Sequence, residues 1–248
     1  MSSSVANYTL QLENSASMQI NKKIGSLLIM GAIAVFIPYT VLTIIFEYPD
    51  ILRQDTATIL TKFHEGGNSL IWTWFAFAIM GLPLLPAYIM IGQKLERHAS
   101  MARTATTLGV IGLIVQMVGL LRWTFVVPVL ADTFVHATDE PTKAAAMVAF
   151  KTIHQFGGVI LGEHLGQLFT IAWTVMLSWV FFKLRLMPKW VNILGLFGAF
   201  IYLLAQAELF ATVMPDFPVW DLAGFIGSTL WLLWLVIVGV KFRSLQSI

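Results

Sequence analysis

The 248-residue chain has no cysteine, which excludes disulfides, thiolate metal sites, iron–sulfur clusters, covalently attached c-type haem and a cysteine nucleophile. Charge is scarce as well: Lys, Arg, Asp and Glu make up 11% of the residues, against about 25% in ordinary soluble domains. That excludes a soluble globular domain and a disordered chain alike. The sequence contains no phosphate-binding loop, nucleophile elbow, HExxH metalloprotease helix or retinal-type lysine within an apolar run, so the chemistries carried by those motifs fall away. The net charge is +2, and the basic residues lie between apolar runs rather than in one patch, which argues against a nucleic-acid partner.

Apolar sequence is what the chain has in abundance: 58% hydrophobic residues and a mean hydropathy of +0.80. A membrane-crossing helix needs about 20 predominantly apolar residues. Six runs qualify: 24–46, 69–91, 106–130, 157–182, 190–211 and 222–240. The expected fold is therefore all-α, a polytopic integral membrane protein with the lipid bilayer as its solvent. A single six-helix domain over 21–248 follows a Ser/Asn-rich, mobile tail at 1–20. The first run exceeds a signal-peptide core and has no small-residue cleavage site behind it, so it stays as an anchor.

Lys and Arg orient the bundle. One set of flanks carries Lys22, Lys23, Lys94, Arg97, Arg103, Lys183, Arg185, Lys189, Lys241 and Arg243, whereas the opposite loops carry Arg53, Lys62, Lys143 and Lys151. The positive-inside rule then puts both termini in the cytoplasm. Two outer loops have helical character. Leu52, Ile59, Leu60 and Phe63 recur with the spacing of one apolar stripe, which predicts an interfacial helix over 51–64. Asp139, Glu140 and Pro141 are helix-start signals for a stretch 143–156 that runs into the fourth span. These two segments either lid an outer cavity or rest among the headgroups. Pro38, Pro83, Pro86 and Pro128 interrupt the first three spans and free backbone carbonyls there. Spans 1–3 and 4–6 show no inverted repeat.

A charge near mid-membrane costs roughly 2.5–3.5 kcal/mol on insertion scales, and Arg122, Glu163 and Glu208 each lie within a span. At about 1.5 Å rise per residue, Arg122 sits ~12 Å and Glu163 ~9 Å below the outer boundary. An Arg122–Glu163 pair between spans 3 and 4 is therefore predicted, with Glu208 near enough to join it or reach water. On span 4, Glu163, Gln167, Thr170, Thr174 and Ser178 form a polar stripe facing the bundle. Gly158, Gly162 and Gly166 form a ridge beside it that admits another helix or a flat ligand. Trp123, next to Arg122, is placed for ordinary packing or as a cation–π wall.

His64, His154 and His164 gather toward the outer side. Imidazoles with a carboxylate bind divalent metals, and two facing imidazoles hold haem b. His154 and His164 are about 15 Å apart along one helix, so a metal would need His64, His164 and Glu163 together. Hydrogen-bonded structural histidines are the alternative.

The strings Arg122-Trp123-Thr124-Phe125-Val126-Val127-Pro128 and Gly162-Glu163-His164-Leu165-Gly166, on a six-span layout, resemble a bacterial membrane family, domain of unknown function 4386. The resemblance covers nearly the whole chain after residue 20. It implies a six-helix inner-membrane protein in which the two strings belong to one core, and it brings no activity to carry over. Three readings stand side by side. The first is an outward-facing pocket of Arg122, Trp123, Glu163, His164, Gln167 and Glu208 that binds, senses or transports a small ligand or protons. The second is a haem or metal redox protein built on His64, His164 and Glu163. The third is an accessory subunit, with the charges as helix glue within a homo-oligomer or larger membrane complex.

Overall fold

A computed structural model describes residues 2–245. Those residues are helical throughout apart from short connections, with no strand among them. Six helical units are long and apolar enough to cross a membrane, and each carries large apolar side chains on its outward face, such as Ile44, Trp72, Val129, Phe197 and Leu233. The protein is a multi-pass membrane protein surrounded by lipid.

The first unit is α1, Ser2–Phe46. Residues 2–20, the segment expected as a mobile tail, are part of this helix, and Lys94 Nζ donates to Ser17 Oγ at 3.0 Å. The helix stops where Glu47 takes the left-handed backbone (φ +54). A short 3₁₀ turn, Asp50–Arg53, follows with Ile51 and Leu52 buried. The second unit comprises α2 (Thr56–Ile79) and α3 (Leu84–Leu95), separated by a turn that ends at Pro83. The third comprises α4 (Met101–Phe125) and α5 (Val127–His136), with Pro128 in the first turn of α5 where its missing N–H costs nothing. The fourth runs through α6 (Glu140–Ile153), a π-helical segment His154–Leu165, and α7 (Gly166–Lys183). The fifth is α8 (Lys189–Leu204) with α9 (Gln206–Ala211), and the sixth is α10 (Ala223–Ser244).

The spans form a closed ring in chain order. α1 packs on α10, α10 on α8, α8 on α7, α7 on α4, α4 on α2 and α3, and these on α1. The start of the first span and the end of α10 meet at one pole, where Asn21 Nδ2 donates to Leu245 O at 3.2 Å. That proximal half is filled: Tyr88 stacks on Trp173 with centroids 4.0 Å apart, Trp173 meets Trp234 edge-on, and Trp234 Nε1 donates to Val191 O. Thr170, Thr174 and Ser178 of the predicted polar stripe are buried in this half.

The distal pole is built differently. The interfacial helix expected over 51–64 begins at Thr56, and its stripe points into the protein. Leu52, Ile59, Leu60 and Phe63 are buried in one cluster with Phe46, Trp74, Trp123 and Phe150. A reversal at Gly67 (φ +54, ψ −152) inside α2 makes this possible, because it folds the amphipathic first half over the bundle before the span begins. Asp55 and Asp139 cap α2 and α6 by accepting from Thr58 N (3.1 Å) and Thr142 N (2.8 Å). These bonds hold both carboxyls below the usual carboxylate range.

Candidate functional site

The fourth span approaches the third closely enough to bring their polar groups to one place. The glycine ridge runs antiparallel to α4, with Gly158 against Arg122, Gly162 against Gly119 and Gly166 against Gln116. The ridge therefore admits a helix, and the missing Cβ atoms are what let the backbones meet. At Gly158 the space is taken by a cation: a Cβ there would lie 2.5 Å from Arg122 Nη2 and 2.8 Å from Cζ. The π-helical segment spans this contact, in keeping with the frequency of such irregular turns at functional sites.

Arg122 is 6% exposed. Its Nη1 donates to Gly119 O, Cζ lies 5.2 Å from the Trp123 ring centroid, and Nε has no partner. Among the described residues no carboxylate comes within 4 Å of its guanidinium, so the expected direct Arg122–Glu163 ion pair is not formed. Glu163 is engaged elsewhere: Arg53 Nη2 stands 3.5 Å from Glu163 Oε2 and 2.7 Å from Glu208 Oε1, and Arg53 Nε donates to Glu208 Oε1 at 2.7 Å. Burial of Ile51 and Leu52 draws the 47–55 loop over the distal pole and delivers Arg53 between the two carboxylates. Matching depths along two spans did not reveal a third partner arriving from a loop.

A cavity of about 110 Å³ lies beneath that loop. Trp74 and Phe77 come from α2, Gln116, Leu120, Arg122 and Trp123 from α4, Gly158, Gly162 and Glu163 from the π-helical segment, Gln167 from α7, and Tyr202 from α8, with Tyr48 and Leu52 as the roof. Of the predicted site residues, Arg122, Trp123, Glu163 and Gln167 thus share one space. Trp74 and Trp123 stack face to face at 4.7 Å and form one wall. Gln116 closes the floor by donating to Thr170 Oγ1 at 2.9 Å. Desolvation, and then the charge of Glu163, push the Tyr48 phenol well above its ordinary value, so it stays protonated.

His164 and Glu208 stand behind this cavity rather than in its wall. His164 Nδ1 meets Gln206 Oε1 at 2.7 Å, and Gln206 Nε2 donates to Gln167 Oε1 at 2.6 Å. This relay across the α8–α9 break orients Gln167 toward the cavity. The proposed metal set of His64, His164 and Glu163 is not assembled. His64 packs edge-on against His136 with centroids 5.2 Å apart, and His136 Nδ1 pairs with Asp132. Among the described residues no three His, Cys, Asp or Glu side chains come together as a metal site. His154 stacks on Phe150 instead of facing another imidazole.

Arg53, Tyr48, Gln116, Tyr202 and Gln206 are members of the arrangement that sequence spacing does not reveal. Arg53 carried one signal, as one of four basic residues in the loops opposite the strongly basic flanks. A second, open groove of about 350 Å³ lies outside the loop, lined by Arg53, Lys151, His154 and Gln155 among others. Leu52 belongs to both walls, so the loop separates groove from cavity.

No curated protein and no solved structure matches the chain. The profile of the domain of unknown function DUF4386 matches residues 24–239, and the chain belongs to that family.

Proposed function

We propose that this member of the family is a bacterial inner-membrane protein with cytoplasmic termini, whose distal pole faces outward and holds an intramembrane pocket that binds a small ligand or protons for sensing or transport. The ten-to-four division of basic flanks supports the orientation. One observation carries the reading. Spans 2, 3, 4 and 5 converge on a cavity that holds a cation with no direct carboxylate partner among the described residues, while the other half of the bundle carries the larger buried apolar cluster. Burial of a charge is costly unless the charge has work or a partner. A helix-packing role alone would be met more cheaply by apolar side chains.

The absence of cysteine allows a direct test, because a single introduced thiol is the only one present. Gln54→Cys, on the exposed part of the loop, and Gln167→Cys are expected to react with a membrane-impermeant thiol reagent added from outside the cell, and Leu245→Cys with reagent added to the cytoplasmic face. Access to Gln167→Cys solely from the cytoplasmic face, or from neither face, overturns the outward pocket. Leu245→Cys reacting from outside overturns the orientation.

A further inference from the structure

We propose that the distal cavity takes a short-chain monocarboxylate together with one proton, the carboxylate seated on Arg122 and the proton on Glu163. The proposal rests on the outward pocket described above and names its ligand.

Hydrogen-bond accounting points to an anion. Three N–H donors on residues of the cavity wall, Arg122 Nε, Trp74 Nε1 and Trp123 Nε1, have no acceptor. Two nearby acceptors already receive a hydrogen bond, Gln167 Oε1 from Gln206 and Gly119 O from Arg122 itself, and Glu163 Oε2 lies 3.5 Å from Arg53 Nη2 rather than against Arg122. Buried donors of this kind are ordinarily satisfied; these three are closed off by protein, but the Arg122 guanidinium lines the cavity with Gly119 O as its one acceptor among the described residues, and an acceptor-rich ligand would supply another. The guanidinium is also held in place for such a partner, since Gly158 leaves it room and Trp123 lies alongside.

Shape and charge narrow the class. A guanidinium fork matches a carboxylate bidentately. Leu52, Trp74, Phe77 and Leu120 give the wall an apolar part beside the polar Tyr48, Gln116, Gln167 and Tyr202, and that part suits a short hydrocarbon tail. The volume of about 110 Å³ corresponds to three or four waters at roughly 30 Å³ each, which suits a ligand of a few carbons.

Proton coupling follows from the charge count. Arg53 and Arg122 are balanced by Glu163 and Glu208, so the empty cluster is neutral. A monoanion on Arg122 would leave one uncompensated negative charge beside Glu163, and a proton on Glu163 removes it. The groups facing Glu163 are Arg53 and Tyr48 from the 47–55 loop, Arg122 from α4 and Tyr202 from α8. Glu208 of α9 lies beyond Arg53, and Lys151 and His154 line the groove outside it. His164, the next residue in the chain, is turned to Gln206.

Trp74 and Trp123 make the test optical. Sodium propionate titrated into the purified full-length protein in detergent is expected to change tryptophan fluorescence saturably at pH 5.5. Its affinity should fall about tenfold per pH unit once Glu163 is ionised in the free protein. In weakly buffered solution with a pH indicator, one proton should be taken up per propionate bound. Glu163→Gln should bind propionate with no proton uptake and no pH dependence, and Arg122→Gln should lose binding. If Arg122→Gln does not fold, Gly158→Ala, which fills the guanidinium's place, should weaken binding at least tenfold in folded protein.

Propionate binding to the wild-type protein without proton uptake overturns the coupling, and chloride competing on equal terms overturns the carboxylate preference. No saturable signal between pH 5 and 8, in protein whose Gln167→Cys variant reacts from outside, overturns the ligand class and leaves the outward pocket standing. Failure of that thiol reaction removes both.

Discussion

Replacing Gly119 with alanine tests the helix contact on which the cavity depends. A Cβ at this position would stand 2.6 Å from Gly157 O, 2.7 Å from Gly162 Cα and 2.9 Å from Gly162 N. All three are backbone atoms, so no change of rotamer relieves the contact. α4 and the π-helical segment must part by about 0.8 Å to reach the 3.4 Å at which ordinary contact begins. Overpacking of this kind costs about 1–3 kcal/mol, and alanine's helix preference over glycine returns up to about 1 kcal/mol. A net loss of about 1–2 kcal/mol is expected. Gly224→Ala is the control, because its Cβ would find Ala205 Cβ at an ordinary 3.8 Å; it should be neutral or stabilising by up to about 1 kcal/mol. Both variants are compared with the wild type by thermal unfolding and by titration with a denaturing detergent. Since Gly119 O also holds Arg122 Nη1, Gly119→Ala should move the guanidinium as well as loosen the helix pair. A Gly119→Ala protein as stable as the wild type and Gly224→Ala would refute the close-contact argument.

Other perturbations probe the distal pole. A double-mutant cycle on Arg53→Gln and Glu208→Gln should show coupling of up to about 1 kcal/mol, as the pair is about one-third exposed; additive losses in thermal unfolding would mean the bridge contributes nothing in solution. Gly67→Ala forces a side chain onto a backbone that only glycine adopts readily, and should cost about 1–3 kcal/mol, read as a lower Tm; an unchanged Tm would show that the reversal in α2 is not held at Gly67. The caps at Asp55 and Asp139 have lowered carboxyl values in the folded chain, so their stabilisation is full above the ordinary value of 3.8 and is lost as pH falls through the lowered ones. Asp55→Ala and Asp139→Ala should therefore unfold earlier than the wild type at pH 7 and converge with it as pH drops below about 3.8; a constant gap across that range would contradict the capping role.

The spans, their number and the all-α class were legible in the primary structure, because membrane insertion is decided segment by segment from each run's own transfer energy. Some local signals are equally legible: Asp139 starts α6, and Pro83 and Pro128 mark breaks, whereas α1 runs on through Pro38, α3 through Pro86, and the Asp55 cap falls inside the stretch expected as helix from 51. The glycine ridge foretold a close approach, and the buried polar stripe a face turned inward. Partners across the fold were another matter. Arg122 and Glu163 lie at matching depths on adjacent spans, yet Glu163 went to Arg53, and His64 went to His136 rather than His164. Those choices depend on the path of a loop pulled down by Ile51 and Leu52, a reversal at Gly67 and a break at Ala205 that no proline marks. Depth along a helix is additive in residues and can be counted from one chain segment. Which side chain meets which depends on rotation about several helix axes at once and on loops held by long-range burial, and that is settled where the helices pack.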